Sequence, residues 1–442
     1  MSGKTRFSRR GLLKVSAVAI AVPAVPMIVP SWARGEAPSE KLNIAAIGVG
    51  GRGRDDLNGC AHERIVALCD ADSEILTGAG QAYPEAKMFA DFRKMFDTME
   101  KDIDAVVVGT PDHTHAAPGC AAMARGKHLY CEKPLAHDLY EIRTMTDLAA
   151  KNGLVTQLGT QIHAEDNYRR VVELVQGGVI GPVRQVEVWF PGNYTGGIPA
   201  TDTPPCPENL DWDLWLGPAL ERPYHPQYAP FRWRGWRDFG SGTFGDFFCH
   251  YCDLPYWALK LAHCTAVEGE GEYPHPESAA RWSIAKYEFP ARGDLPPVTL
   301  TWYDGGKRPT ILSEMKWPGE DNAWPNSGIL FVGEKGCIWS DYGRHVLLPV
   351  EKFEDFTPPA PTIPASIGHH REWTEACKTG GPTTCNFAYS GPLSEGAMLG
   401  VVATRLPAGR YEWDAENLKV VGCDEADRWI RYPRRHNWDL EN

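Results

Sequence analysis

From residue 41 to about 160, short apolar runs alternate with stretches whose apolar positions recur at helical spacing. The runs fall at 42–49, 64–70, 105–109, 128–131 and 154–159. Helix-like stretches start at Ser73, near His115 and at Leu139. Strand, helix, strand, helix predicts a parallel sheet with crossover helices. Beyond about 161 the texture changes. One more helix is expected over 165–177. Strand-like segments follow at 183–190, 280–289, 298–303 and 328–339, separated by long Pro-, Gly- and Trp-rich connections. That pattern predicts a mainly antiparallel sheet with large loops on one face. Helical patterns return at 369–378 and 391–406, and no internal repeat is found.

The first 33 residues stand apart. Ser8-Arg9-Arg10-Gly11-Leu12-Leu13-Lys14 is a twin-arginine run. An Ala/Val-rich stretch broken by Pro23, Pro26 and Pro30 follows, and Ser31-Trp32-Ala33 gives a small-x-small cleavage pattern. This predicts a twin-arginine signal over 1–33, with the translocase as a transient partner and the periplasm as destination. An uncleaved membrane anchor is the competing reading. The remainder divides into 41–160 and 161–442. With 43% hydrophobic and 23% charged residues the whole chain has a globular composition, and its net charge of −12 argues against a nucleic-acid partner. The twelve cysteines are scattered. A chain exported already folded is expected to keep most of them as free, buried thiols, although an oxidising compartment permits a bridge.

Chemistry concentrates at the ends of the predicted strands. Gly48-x-Gly50-x-x-Gly53 closes the first strand and Asp70 closes the second, about 20 residues on. Glycines there let the backbone approach a pyrophosphate at a helix N-terminus, and the acid accepts from a ribose 2′-hydroxyl. Asp70 favours NAD, since it would repel a 2′-phosphate; Arg52 and Arg54 leave NADP open. Gly51 and Arg52 complete the loop. In Gly109-Thr110-Pro111-Asp112-His113-Thr114-His115, Thr110 and Pro111 are placed to line a cofactor, and His115 to begin the next helix. Metal binding by His113 and His115 is a weaker alternative. Glu132-Lys133-Pro134 follows the next strand at the same edge. A residue before proline is held extended, so Lys133 is expected where a nicotinamide ring would lie. Gln161 is a further cofactor candidate.

This set resembles the Gfo/Idh/MocA oxidoreductases, the group of glucose–fructose oxidoreductase and inositol dehydrogenase. The Glu-Lys-Pro motif is the specific part of the resemblance, which runs through the mature chain. It implies an α/β fold with an N-terminal Rossmann domain and a C-terminal α/β domain on a large, open, mostly antiparallel sheet. It also implies a sugar, polyol or glycoside substrate, and an open sheet face predicts a homo-oligomer. A second motif, Asp-x-x-x-His, is implied as well, and Asp246 and His250 supply it. At i and i+4 on a helix both side chains face one way. His250 would be the general base and Asp246 would orient it or the substrate, with Lys133 polarising the hydroxyl. Asp253 is a supporting candidate. Cys249 and Cys252 look like a zinc or redox pair, but no second ligand pair is evident. Trp212, Trp215, Trp233, Trp236 and Trp257 serve either a sugar face or a core. Arg232, Arg234 and Arg237 bind an acidic sugar or pair with acids, and Tyr194 is a substrate-loop candidate. A glycosidase or lyase that oxidises its sugar transiently, and a nucleotide sensor without activity, are the competing functions.

Overall fold

The computed structural model describes residues 41–318 and 321–440; the twin-arginine segment lies outside the described residues. The apolar runs of the first part become β1 (Asn43–Ile47), β2 (Arg64–Cys69), β3 (Lys87–Phe89), β4 (Ala105–Val108), β5 (His128–Cys131) and β6 (Thr156–Leu158). They form one parallel sheet in the order β3-β2-β1-β4-β5-β6. β4 reads Ala-Val-Val-Val and is buried throughout, as a strand covered on both faces must be. The coverings are α1 (Gly51–Gly59), α2 (Ser73–Ala82), α3 (Phe92–Met99), α4 (Ala116–Ala124) and α5 (Leu139–Lys151). Strand order reverses between β1 and β4. Open α/β sheets bind ligands outside the carboxyl ends of their strands at such a point.

After α6 (Asp166–Gln176) the chain builds a second sheet from β7 (Val183–Trp189), β8 (Ala266–Gly271), β9 (Ser283–Phe289), β10 (Val298–Tyr303), β11 (Gly328–Gly333), β12 (Gly336–Ser340), β13 (His345–Leu348), β14 (Arg410–Asp414) and β15 (Lys419–Val420). Its order is β13-β12-β11-β7-β10-β9-β8-β14-β15. Pairing is antiparallel except between β7 and β10. β9 alternates buried and half-buried positions, so one face packs and the other stays open. The run expected as one strand over 328–339 is a hairpin, turning between Gly333 and Gly336.

The other helices are α7 (Trp212–Leu216), α8 (Gly242–Leu259), α9 (His369–Thr379), α10 (Phe387–Ala403) and α11 (Asp427–Ile430). α9 returns to the first part: Trp373 and Cys377 share a buried cluster with Ile44, Leu57 and Tyr130. All twelve cysteines are free, ten of them buried. No helix among the described residues is long and apolar enough to cross a membrane.

Candidate active site

At the switch point lies a cleft of about 740 Å³, within the size range of ligand sites. Gly48 sits at φ +78°, and a Cβ there would lie 2.6 Å from the Thr110 nitrogen. A Cβ on Gly53 would lie 2.0 Å from the Gly48 carbonyl oxygen, so this glycine lets α1 pack against the loop. α1 starts after Gly50 with no side chain capping it and no acid in its first turn. Its first N–H groups are therefore suited to an anion. The cradle fits a dinucleotide pyrophosphate.

Asp70 lines the same cleft. Its carboxylate accepts from Val49 N at 2.9 Å and from Asp72 N at 2.9 Å. Burial pushes its pKa up to about 6, against those two hydrogen bonds. The arginines that left NADP open are engaged elsewhere. Arg54 donates to the Val49 and Gly78 carbonyls. Arg52 pairs with Asp56 at 2.9 Å and Glu132 at 3.3 Å.

At the far end, Lys133 Nζ lies 2.5 Å from Asp246 Oδ1 and 3.0 Å from the Asp246 carbonyl oxygen. Arg234 Nε reaches the same carboxylate oxygen at 3.4 Å. Burial alone would lower the Lys133 pKa; the charges of Asp246, Glu132 and Asp112 outweigh it, and the ammonium is held above its ordinary value. Burial would likewise raise Asp246, but Lys133 and Arg234 hold it below the usual carboxylate range. His250 is driven down to about 3, by burial first and then by Lys133. Its Nδ1 is buried without a hydrogen-bond partner. The site thus holds an ammonium donor, an ionised carboxylate and a neutral imidazole.

The folding of α8 explains why these groups meet. It is buried along nearly its whole surface; only Asp246, Phe247, His250 and Trp257 retain exposure. Asp246 and His250 share one open stripe, as their i, i+4 spacing requires. Tyr168 donates to the His250 carbonyl at 3.1 Å and steadies that turn. Around Lys133, Gln161 Nε2 donates to Glu132 at 2.6 Å and to Tyr130 at 2.7 Å. His115 sets its two ring nitrogens against the Pro134 and Thr110 carbonyls, each at 2.8 Å, and so ties the loops after β4 and β5 together.

The cleft brings together Gly48, Gly50, Gly51, Arg52, Asp70, Thr110, Pro111, His115, Glu132, Lys133, Gln161, Asp246 and His250. Four substrate candidates lie outside its lining. Arg232 is exposed to solvent. Trp236 is 1% exposed, in a core with Tyr228, Trp233 and Phe239. Tyr194 rests its ring 5.9 Å from Phe247. Asp253 is fully buried, holding His163 at 2.9 Å and Tyr389 at 2.7 Å. Trp215, Trp233 and Arg234, also singled out in the sequence, line the cleft together with Phe231. So does Asp112, whose carboxyl burial pushes up to about 7 against the pull of Lys133. Arg237 stacks on Trp429 and Tyr432 instead.

The metal alternatives are corrected by contacts. His113 faces the Trp215 carbonyl at 3.1 Å, and His115 is occupied on both sides. Cys249 and Cys252 are buried packing residues. The one group of metal-ligand type among the described residues is His163, Asp253 and Cys385, and its carboxylate already serves His163 and Tyr389.

Comparison with known proteins agrees with the fold. The Gfo/Idh/MocA model for an oxidoreductase family with an NAD-binding Rossmann fold matches residues 42–160. The model for the C-terminal alpha/beta domain of the same family matches 172–293. Inositol 2-dehydrogenase of Salmonella typhimurium is 29% identical over 150 residues, 32% of this chain and 43% of that one. Levoglucosan dehydrogenase of Pseudarthrobacter phenanthrenivorans is 25% identical over 188 residues, 42% of this chain and 40% of that one. The chain therefore spans less than half the length of these curated relatives. Among solved structures, an oxidoreductase from Thermotoga maritima superposes with a TM-score of 0.59 at 14% identity, over 86% of this chain and 100% of that one. WlbA dehydrogenase from Bordetella pertussis, in complex with NADH and UDP-GlcNAcA, gives 0.59 at 17%, over 85% and 99%. At such identities the likeness is one of fold.

Proposed function

This chain belongs to the Gfo/Idh/MocA oxidoreductase family, and on that premise we propose that it oxidises a sugar, polyol or glycoside by hydride transfer. The observation that carries the reading is the meeting of Lys133, Asp246 and His250 at one end of a dinucleotide cleft. NAD, when bound, supplies the hydride acceptor. His250 is neutral and takes the hydroxyl proton. Lys133 stays protonated and donates to the same oxygen as negative charge develops there. Asp246 fixes the ammonium and keeps it charged.

The twin-arginine run supports export of the folded protein with its cofactor. A periplasmic enzyme has no free nicotinamide pool to draw on, so we place the cofactor as tightly held and the net reaction as redox-neutral. One substrate is oxidised and another group reduced, or one substrate is oxidised, rearranged or cleaved, and re-reduced. The open face of the nine-stranded sheet, carrying Lys286 and Glu288, supports self-association. Asp112 favours one variant of the cycle. Asp112 lines the cleft and its carboxyl is pushed up to about 7 by burial, which suits an acid that protonates a leaving aglycone, the proton removed from the ring carbon beside the transient ketone balancing the one given. A panel of sugars and glycosides, read for both keto product and released aglycone, tests the reading. Absence of turnover on every member of such a panel would favour a nucleotide-binding sensor.

A further inference from the structure

The adenosine end of the cleft is walled by residues far away in sequence. Pro207, Asn209, Leu210, Leu214, Trp215 and Trp438 line the cleft together with Ile75 and Phe92. The 207–215 segment is fastened to the turn between β2 and α2. Ser73 N donates to the Asn209 carbonyl at 2.8 Å, and Asp211 N to the Ala71 carbonyl at 2.9 Å. Asp72 and Leu210 form an isolated antiparallel bridge. Asn209 Nδ2 donates to Asp72 Oδ2 at 2.9 Å, while Asp72 Oδ1 caps α2 through Glu74 N and Ile75 N.

These bonds join one chain of contacts. Val49 N and Asp72 N hold Asp70; Asp72 holds Asn209. The carboxylate suited to a ribose is thus tied to the segment that covers it. Trp438 is anchored both to the first domain and, through its neighbour Arg435, to the same segment. Trp438 lies under the Arg93 guanidinium at 4.5 Å and beside Phe92 at 6.0 Å. Arg435 pairs with Asp213 at 2.5 Å and donates to the Gly217 carbonyl at 2.8 Å.

We infer that residues 207–215 and Trp438 form a second half of the adenosine site and retain the dinucleotide. The ligand class is the adenosine moiety of NAD. An adenine extending from a ribose at Asp70 would meet Ile75 and Phe92 from the first domain, and Leu210 and Trp438 from the second. Apolar side chains contributed by both domains suit a flat base. Asp70 and Asp72 line this end and oppose a 2′-phosphate, while Asp91 is paired with Arg93 at 2.9 Å. A nucleotide enclosed in this way leaves only when the segment lifts, which breaks the contacts at Ala71, Asp72 and Ser73 together.

The inference rests on a dinucleotide occupying this cleft and not on the redox-neutral cycle. It is tested on the full mature protein by loading NADH and following its fluorescence as excess NAD displaces it. N209A/L210G and W438A should each release NADH at least tenfold faster than the wild type. Both should lose the ability of 5′-AMP to slow NADH rebinding. Release within twofold of wild type in both variants would overturn the inference. Should the wild type carry no nucleotide and take up no added NADH, the dinucleotide reading of the cleft fails with it. If N209A/L210G does not fold, W438A alone decides.

Discussion

Replacing Lys133 by Met keeps the stem and removes the charge, and the structure sets what that should cost. Lys133 and Arg234 both serve Asp246 Oδ1, at 2.5 and 3.4 Å, and the Lys133 and Asp246 side chains are 11% and 13% exposed. Breaking a buried pair from one side costs about 3–5 kcal/mol, because the other charge is stranded. Arg234 remains as partial countercharge, so the low end, about 3 kcal/mol, is expected. The effect on turnover has a different origin. A positioned donor or acceptor at the reacting oxygen contributes about 10²- to 10⁴-fold, or about 3–5 kcal/mol of barrier. K133M/D246N separates the two. Removing both charges should restore at least half of the lost stability, yet leave turnover as low as in K133M. Denaturant unfolding measures the first and single-turnover formation of NADH, with a sugar that the wild type oxidises, the second. Turnover in K133M within tenfold of wild type would refute the role of the ammonium. A double variant less stable than K133M would refute the stranded-charge argument.

Three further outcomes follow from the same geometry. His250, held down at about 3 by burial and Lys133, is already neutral at mild acid pH, and Lys133 is held above its ordinary value; kcat/KM should be flat from about pH 5 to about pH 9 with respect to both groups, and a limb that moves on H250A near the ordinary histidine pKa would contradict this. Asp70→Ala should weaken NAD more than NADP, and since Asp70 titrates near 6, the wild-type preference for NAD is fully present above that pH and shrinks as pH falls through it; competitive titrations at pH 8 and pH 5 read the difference. Asp253→Ala strands His163 and Tyr389 behind α8 and should cost about 3 kcal/mol of stability by thermal or denaturant unfolding while leaving NADH affinity within a few-fold of wild type.

The first domain was legible because its physics is local. Near-continuous apolar runs mark strands buried on both faces, and the glycine spacing marks a backbone that must pass within contact distance of another. β3 was missed because its three residues are largely exposed, so no apolar run marks it. The Asp246/His250 pair was legible through helical spacing. Asp253 was not separable from it: α8 is buried nearly all round, and periodicity cannot say which buried side holds a carboxylate partner. Trp236 and Arg232 belong to a segment whose path is set by packing. The structure turns Trp236 into a core and lets Arg234, two residues on from Arg232, reach Asp246. Asn209, Leu210 and Trp438 carry no local signal. Their place over the cleft comes from long-range contacts, which sequence spacing does not encode.

The closed redox cycle is tested most directly on mature protein that has been dialysed extensively and assayed with no nucleotide added. The account predicts that NAD or NADH copurifies at close to one per chain by mass spectrometry, and that each chain converts many substrate molecules without releasing NADH. Protein that arrives empty, requires added NAD and yields one NADH per product would contradict it.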